Sequence, residues 1–153
     1  MNRGRAVNND KIIVLTADLG FGVLDKIKNE FTSRYYNVGA AEQLMIGAAI
    51  GLAENSLIPV CYSMSSFLLY RPFELLRNYV NYENIPVKLI GSGRDYDYSH
   101  DGMSHWAHDD EKVLSSLPNI KIYKPKTILE LEQSFKEFLY SKEPAYLNLT
   151  RKI

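Results

Sequence analysis

The sequence predicts an α/β domain in three layers, a mainly parallel sheet with helices on both faces. Two observations predict it. Short β-rich runs alternate along the chain with helix-forming segments, the order of parallel strands joined by helical crossovers. The length of 153 residues, with no internal repeat, low-complexity tract or linker, is that of one domain with a real core.

The elements follow in order. Residues 11–16 (KIIVLT) read as a buried strand and residues 34–38 (RYYNV) as a shorter second one. Residues 40–54, rich in Ala, Leu, Ile and Met, form a helix. Residues 57–62 (LIPVCY) return to strand, with Pro59 confined to its beginning. A helix over 70–80, a strand over 87–91, a short helix over 109–116 and a strand over 120–123 come next. Residues 127–140 are amphipathic, with Thr127 as N-cap and Glu130 completing a capping box. Residues 145–149 (AYLNL) close the series. The one long irregular segment, 92–108, is of a length that is usually functional in a compact domain.

Composition narrows the classes of function. Eighteen basic residues balance eighteen acidic ones, leaving no global field for nucleic acid or an anionic membrane. The single cysteine, Cys61, excludes an internal disulfide and reads as a buried thiol. The basic N-terminus precedes too short an apolar run for a signal peptide, and no stretch nears the ~20 apolar residues of a membrane span. A cytoplasmic protein is expected.

Ligands of open α/β sheets bind beyond the carboxyl ends of the strands, where three segments stand out. In 36–43 (YNVGAAEQ), Gly39 suits a tight strand-to-helix turn. Glu42 would lie in the first helical turn, where the helix dipole favours a carboxylate. The same helix carries Gly47 and Gly51, each costing roughly 1 kcal/mol relative to Ala. Close approach of another backbone would justify them, at a subunit interface or within the chain. In 63–71 (SMSSFLLYR), Met64, Phe67 and Tyr70 share one side if the stretch is helical, a spacing more common in cores than in ligand platforms. The long loop carries His100, His105 and His108, whose spacing has no cysteine or carboxylate frame for zinc, so no metal site is expected. Asp101-Gly102 reads as a turn.

Together these segments resemble the central domain of transketolases and the related deoxyxylulose-phosphate synthases, a thiamine-diphosphate-binding fold. Residues 16–20 (TADLG) are similar to the family's TADLG/SADL, and 34–43 (RYYNVGAAEQ) to its RFINVGIAEQ. Residues 47–53 resemble the AAGLA helix, 67–77 (FLLYRPFELLR) resemble FLTRRAFDQIR, and 101–105 (DGMSH) stand where the family has DGPTH. Leu117-Pro118-Asn119 and Tyr123-Lys124-Pro125 fall at the family's IPN and later proline. The likeness covers nearly the whole chain in order.

The resemblance implies roles. Glu42 matches the glutamate that hydrogen-bonds N1′ of the cofactor's aminopyrimidine. It thereby favours the imino tautomer that takes the thiazolium proton, chemistry that needs a carboxylate in a mostly apolar pocket. Phe67 matches the aromatic stacked on the pyrimidine, Tyr70 the ring beside it, and Met64 a position often held by a second aromatic. His105 matches a histidine facing the substrate's hydroxyls or phosphate, and Asp18 an aspartate near the cofactor. The resemblance also implies thiamine diphosphate with Mg²⁺ as cofactors, and transfer of a two-carbon ketol or acyl unit.

Two departures accompany it. Gly93 stands where transketolases commonly have another histidine, twelve residues before His105. The chain also lacks the Gly-Asp-Gly signature, with Asn about thirty residues on, that holds magnesium and diphosphate. The expectation is therefore a single pyrimidine-binding domain over 1–153, without the diphosphate-binding and C-terminal domains, working with a separate subunit in a heterotetramer. The alternatives are a β-type subunit of a 2-oxo acid decarboxylase or dehydrogenase, and a non-catalytic partner-binding module.

Overall fold

The computed structural model describes residues 9–151. The N-terminal residues 1–8, on which the signal-peptide reading partly rests, lie outside them. Six strands, β1 (Ile12–Thr16), β2 (Tyr35–Asn37), β3 (Ile58–Met64), β4 (Lys88–Ser92), β5 (Lys121–Tyr123) and β6 (Ala145–Leu149), pair in the order β2-β1-β3-β4-β6-β5. Every pairing is parallel. The helices are α1 (Asp25–Phe31), α2 (Glu42–Glu54), α3 (Ser65–Tyr70), α4 (Phe73–Leu75), α5 (Asp110–Ser115) and α6 (Ile128–Tyr140).

Side chains alternate across the strands and divide the core in two. Ile13, Leu15, Cys61, Leu89 and Tyr146 face α2, α3 and α5 through Met45, Ile46, Ala49, Leu68, Leu69 and Leu114. Ile12, Val14, Val60, Ala145 and Leu147 face Phe31 of α1 and Phe138 and Leu139 of α6. The three-layer α/β architecture is the one expected. Cys61 is fully buried in the first core, and burial pushes its thiol pKa up.

Several boundaries differ from the sequence reading. Helix α1 was not anticipated: it has seven residues, no side-chain cap, and among its residues only Phe31 is fully buried. Strand β3 runs on to Met64, and the next helix begins at Ser65 rather than at 70. It breaks at Arg71-Pro72 and resumes as α4, which leads into a π-helical turn at Leu76–Asn81. Proline has no N–H to continue the helical ladder, which accounts for the break. At the capping box, Thr127 Oγ1 accepts from Glu130 N–H at 3.2 Å as expected. The Glu130 carboxylate, however, accepts from Lys126 N–H, one residue earlier than the motif requires.

One polar side chain crosses the second core. Lys88 is 1% exposed in β4, and its Nζ donates to Ser141 O and Oγ at 2.8 Å and to the Glu143 carbonyl. Burial lowers its pKa from 10.5 to about 8, against the raising influence of Glu143. The unfolded chain therefore holds more protons than the folded one between these two values, so stability should rise with pH across that window. Chemical denaturation of wild type and Lys88→Met should show the wild type gaining about 2–3 kcal/mol on the variant from neutral pH to about 10.5. A constant difference across that range would refute this.

Candidate active site

The strand order reverses between β1 and β3, and the loops leaving the carboxyl ends of β1 to β4 converge there, where open α/β sheets bind ligands. The turn into α2 is built locally. Gly39 takes φ +76°, a conformation that favours glycine. Asn37 Oδ1 accepts from Gly39 N–H at 3.0 Å and from Asp18 N–H at 2.9 Å. The turn places Glu42 at the first residue of α2 with its side chain inward, only 1% exposed.

A buried carboxylate needs donors, and Glu42 has two. Ser63 Oγ, from β3, donates to Oε1 at 3.0 Å, and Arg71 Nη1, at the end of α3, donates to Oε2 at 2.8 Å. The Arg71 guanidinium also lies over the Phe67 ring, 3.7 Å from its centroid. His105 meets the same ring edge-on, at 4.9 Å and 65°. A cleft of about 680 Å³ opens beside this group, lined by Ala40, Ala41, Gly47, Ala48, Glu42 and Arg71 among others. A partly exposed aromatic ring, a buried acid and small apolar walls form a surface able to bind a planar ring that carries an N–H donor.

The other expected residues sit around this centre. Met64 ends β3 and is not on the helix with Phe67 and Tyr70, so the three do not form a helical stripe. It lines a separate cavity of about 240 Å³ with Leu19, Gly20, Tyr62 and Tyr98. Tyr70 is half exposed, and its hydroxyl donates to Asp109 Oδ2 at 2.6 Å. Partial burial and that bond to Asp109 push its pKa up to about 12. Asp18 is exposed at the end of β1 in a left-handed conformation, bonded to Asn37. Of the three histidines, only His105 touches Phe67. His108 stacks on Tyr96, and His100 pairs with Asp101. At Gly93, a Cβ would lie 2.4 Å from the Tyr98 ring, so Tyr98 takes the room that a side chain there would need.

Three features were missed in the sequence. Ser63 and Arg71 lie inside the quoted motifs but had been given no role. Phe67 and Arg71, one helical turn apart, were the available signal. The third is a buried polar cluster behind the site. Asn148 Nδ2 donates to Asp110 Oδ2 at 3.0 Å and to the Tyr146 hydroxyl at 2.9 Å, and Tyr146 OH donates to Asp110 Oδ2 at 3.3 Å. Ser65 Oγ donates to Gly93 O at 2.6 Å, and Ser66 Oγ to Ser104 O at 2.8 Å. These bonds tie the start of α3, which carries Phe67, to the loop that carries His105.

The two α2 glycines have no tight neighbour within the described residues. A Cβ added at Gly47 would lie 3.8 Å from a Leu75 methyl, and one added at Gly51 would meet no neighbouring atom within 4 Å. Close approach within the described part of the chain does not account for them. Among the described residues no helix is long and apolar enough to cross a membrane.

Fold and site together define a parallel α/β domain with a buried acid at the switch point of its sheet. The chain belongs to the transketolase family as a pyrimidine-binding domain: the family model described as "Transketolase, pyrimidine binding domain" matches residues 5–153. It is 31% identical over 144 residues to a putative transketolase C-terminal section of Methanocaldococcus jannaschii, covering 94% of this chain and 46% of that protein. It is 29% identical over 148 residues to the 6-deoxy-6-sulfo-D-fructose transketolase subunit SqwH of Clostridium sp. strain MSTE9, covering 96% and 46%. A solved structure described as a split gene transketolase, an inactive β4 tetramer, superposes with a TM-score of 0.80 at 30% identity, covering 94% of this chain and 46% of that one. The chain thus spans about half the length of these relatives.

Proposed function

We propose that this chain supplies the pyrimidine-binding half of a thiamine-diphosphate-dependent, transketolase-like enzyme, and that a separate subunit holds the diphosphate and Mg²⁺. The observation that carries the reading is Glu42, a carboxylate 1% exposed at a small-residue cleft and joined through Arg71 to the Phe67 ring. The names of the relatives, a C-terminal section, a transketolase subunit and a split gene transketolase, support division of the activity between chains.

The residues fit the group. Glu42 would accept a hydrogen bond from N1′ and hold the proton there, Phe67 would stack on the ring and Tyr70 would flank it, while Met64 lines the neighbouring cavity. His105, held against Phe67 and bonded through Nδ1 to Ser104 Oγ at 3.0 Å, would meet the donor's hydroxyls. Asp18 would stand at the rim. When bound, the cofactor supplies the nucleophilic carbon that carries a two-carbon ketol unit between substrates. Burial of Glu42 matters because its bond to N1′ is stronger in a medium of low polarity than in water. A heterotetramer of two such chains and two diphosphate-binding chains completes the reading.

The test is reconstitution. The protein is captured from its native extract, a stoichiometric partner carrying Gly-Asp-Gly and a downstream Asn is sought, and the mixture is assayed with thiamine diphosphate and Mg²⁺. Neither chain alone should turn over, and the mixture should use a ketose phosphate in preference to pyruvate. A fully active partner alone would overturn the reading, and preference for pyruvate would move it to a 2-oxo acid enzyme.

A further inference from the structure

We infer that Arg71 is an internal stand-in for the cofactor's ring: in the free chain its guanidinium holds the place beside Glu42 and over Phe67 that the aminopyrimidine takes, and it must swing out before the site can work. This rests on Glu42 and Phe67 being the ring-binding pair.

The guanidinium is planar, cationic and rich in N–H donors. It makes the two contacts that a protonated aminopyrimidine would seek. One is an N–H donated to Glu42 Oε2 at 2.8 Å, and the other is contact over the Phe67 ring at 3.7 Å from the centroid. A carboxylate oxygen can accept more than one donor, but one face of the Phe67 ring holds only one stacked group, so a ring bound there displaces the guanidinium.

The two partners differ in freedom. Glu42 is 1% exposed and fixed in the first turn of α2, whereas Arg71 is 44% exposed at the end of α3, immediately before the break at Pro72. A long side chain with a solvent route can leave, while a buried carboxylate cannot. If Arg71 left with nothing replacing it, Glu42 would keep only the Ser63 hydroxyl as a donor, which is costly for a buried charge. Its departure is therefore coupled to the arrival of another planar N–H donor. The free chain keeps its acid satisfied, and the ring exchanges for the guanidinium one for one. The ligand class that can make this exchange is a flat nitrogen heteroaromatic with a ring N–H. A compact, non-planar ammonium lacks the stacking half of the interaction.

The experiment titrates thiamine, which carries the ring without the diphosphate, into the isolated chain and follows it by NMR. In the free protein the Arg71 side-chain signals should be shifted upfield by the Phe67 ring current, and saturating thiamine should return them toward solvent values. Arg71→Ala should bind thiamine about tenfold more tightly than wild type, and Arg71→Lys, which keeps the charge and the fold but not the planar group, should fall between them. Adding Glu42→Gln to Arg71→Ala should remove the gain. Equal constants for wild type and Arg71→Ala, or weaker binding by the variant, would overturn the stand-in while leaving the ring site in place. Saturable binding by none of the proteins would remove the ring site itself, and the inference with it.

Discussion

Replacing Glu42 with alanine is expected to lower kcat of the assembled complex by roughly 10²–10⁴-fold, the range spanned by a positioned acid–base group. The size follows from the proposed role: the group would hold a proton on the cofactor's ring, and no neighbour could substitute for it. Its other partners here are Ser63, a hydroxyl, and Arg71, a cation. Neither can accept a hydrogen bond as a carboxylate does. The variant should fold, because the charge left behind belongs to Arg71, which at 44% exposure can turn to solvent. Steady-state kinetics on the reconstituted complex, with partner binding and thermal melting as controls, separate loss of chemistry from loss of assembly. A folded, assembled Glu42→Ala complex with unchanged kcat would sink the assignment.

The second large effect is on stability. Asp110→Ala should destabilise the chain by about 3–5 kcal/mol, the usual result of removing one partner of a buried ionic group. Asp110 is 2% exposed. Its Oδ1 pairs with Lys124 Nζ at 3.0 Å, while its Oδ2 accepts from Asn148 and Tyr146, both fully buried. Burial and the Asp110 charge push the Tyr146 hydroxyl pKa up, so Tyr146 stays a donor and loses its acceptor in the variant. Lys124 retains Glu111 at 2.9 Å, which places the loss toward the lower end of the range. Asp110→Asn, which keeps one acceptor oxygen, should be intermediate. Urea denaturation of the three proteins reads this directly, and a loss below about 1 kcal/mol for Asp110→Ala would show that the cluster is not the tie it is drawn to be. Because the cluster reaches Ser65 through Asn148 and Gly93 through both, the variant should also loosen the positions of Phe67 and His105.

Much of the fold was legible in the sequence because its signals are local. The apolar runs of β1, β3 and β6, the tight turn at Gly39 and the Thr127 cap each depend on a few consecutive residues, and each is found in the segment where it was read, β3 running two residues further than expected. The motifs around Glu42, Phe67 and His105 are likewise contiguous. What was misread lay where long-range contacts decide. Helix α3 begins at Ser65 because the Ser65 and Ser66 hydroxyls are bonded to Gly93 and Ser104 across the site, which no propensity within the segment encodes. Helix α1 was missed because it is short and largely exposed, so it presents almost no apolar periodicity.

By itself, then, the sequence determined the three-layer α/β class, the family resemblance, and which residues of each segment could carry chemistry. Periodicity and turn chemistry act over a few residues. Only the tertiary structure decided which side chains meet. The order β2-β1-β3-β4-β6-β5 brings the end of β3, the start of α2 and the end of α3 to one point. There Ser63, Glu42, Arg71 and Phe67 come into contact, and Asp110 closes on Asn148 across 38 residues of chain. Such pairings are set by sheet order and by the need to satisfy each buried charge, and neither is written in the spacing of residues along a segment.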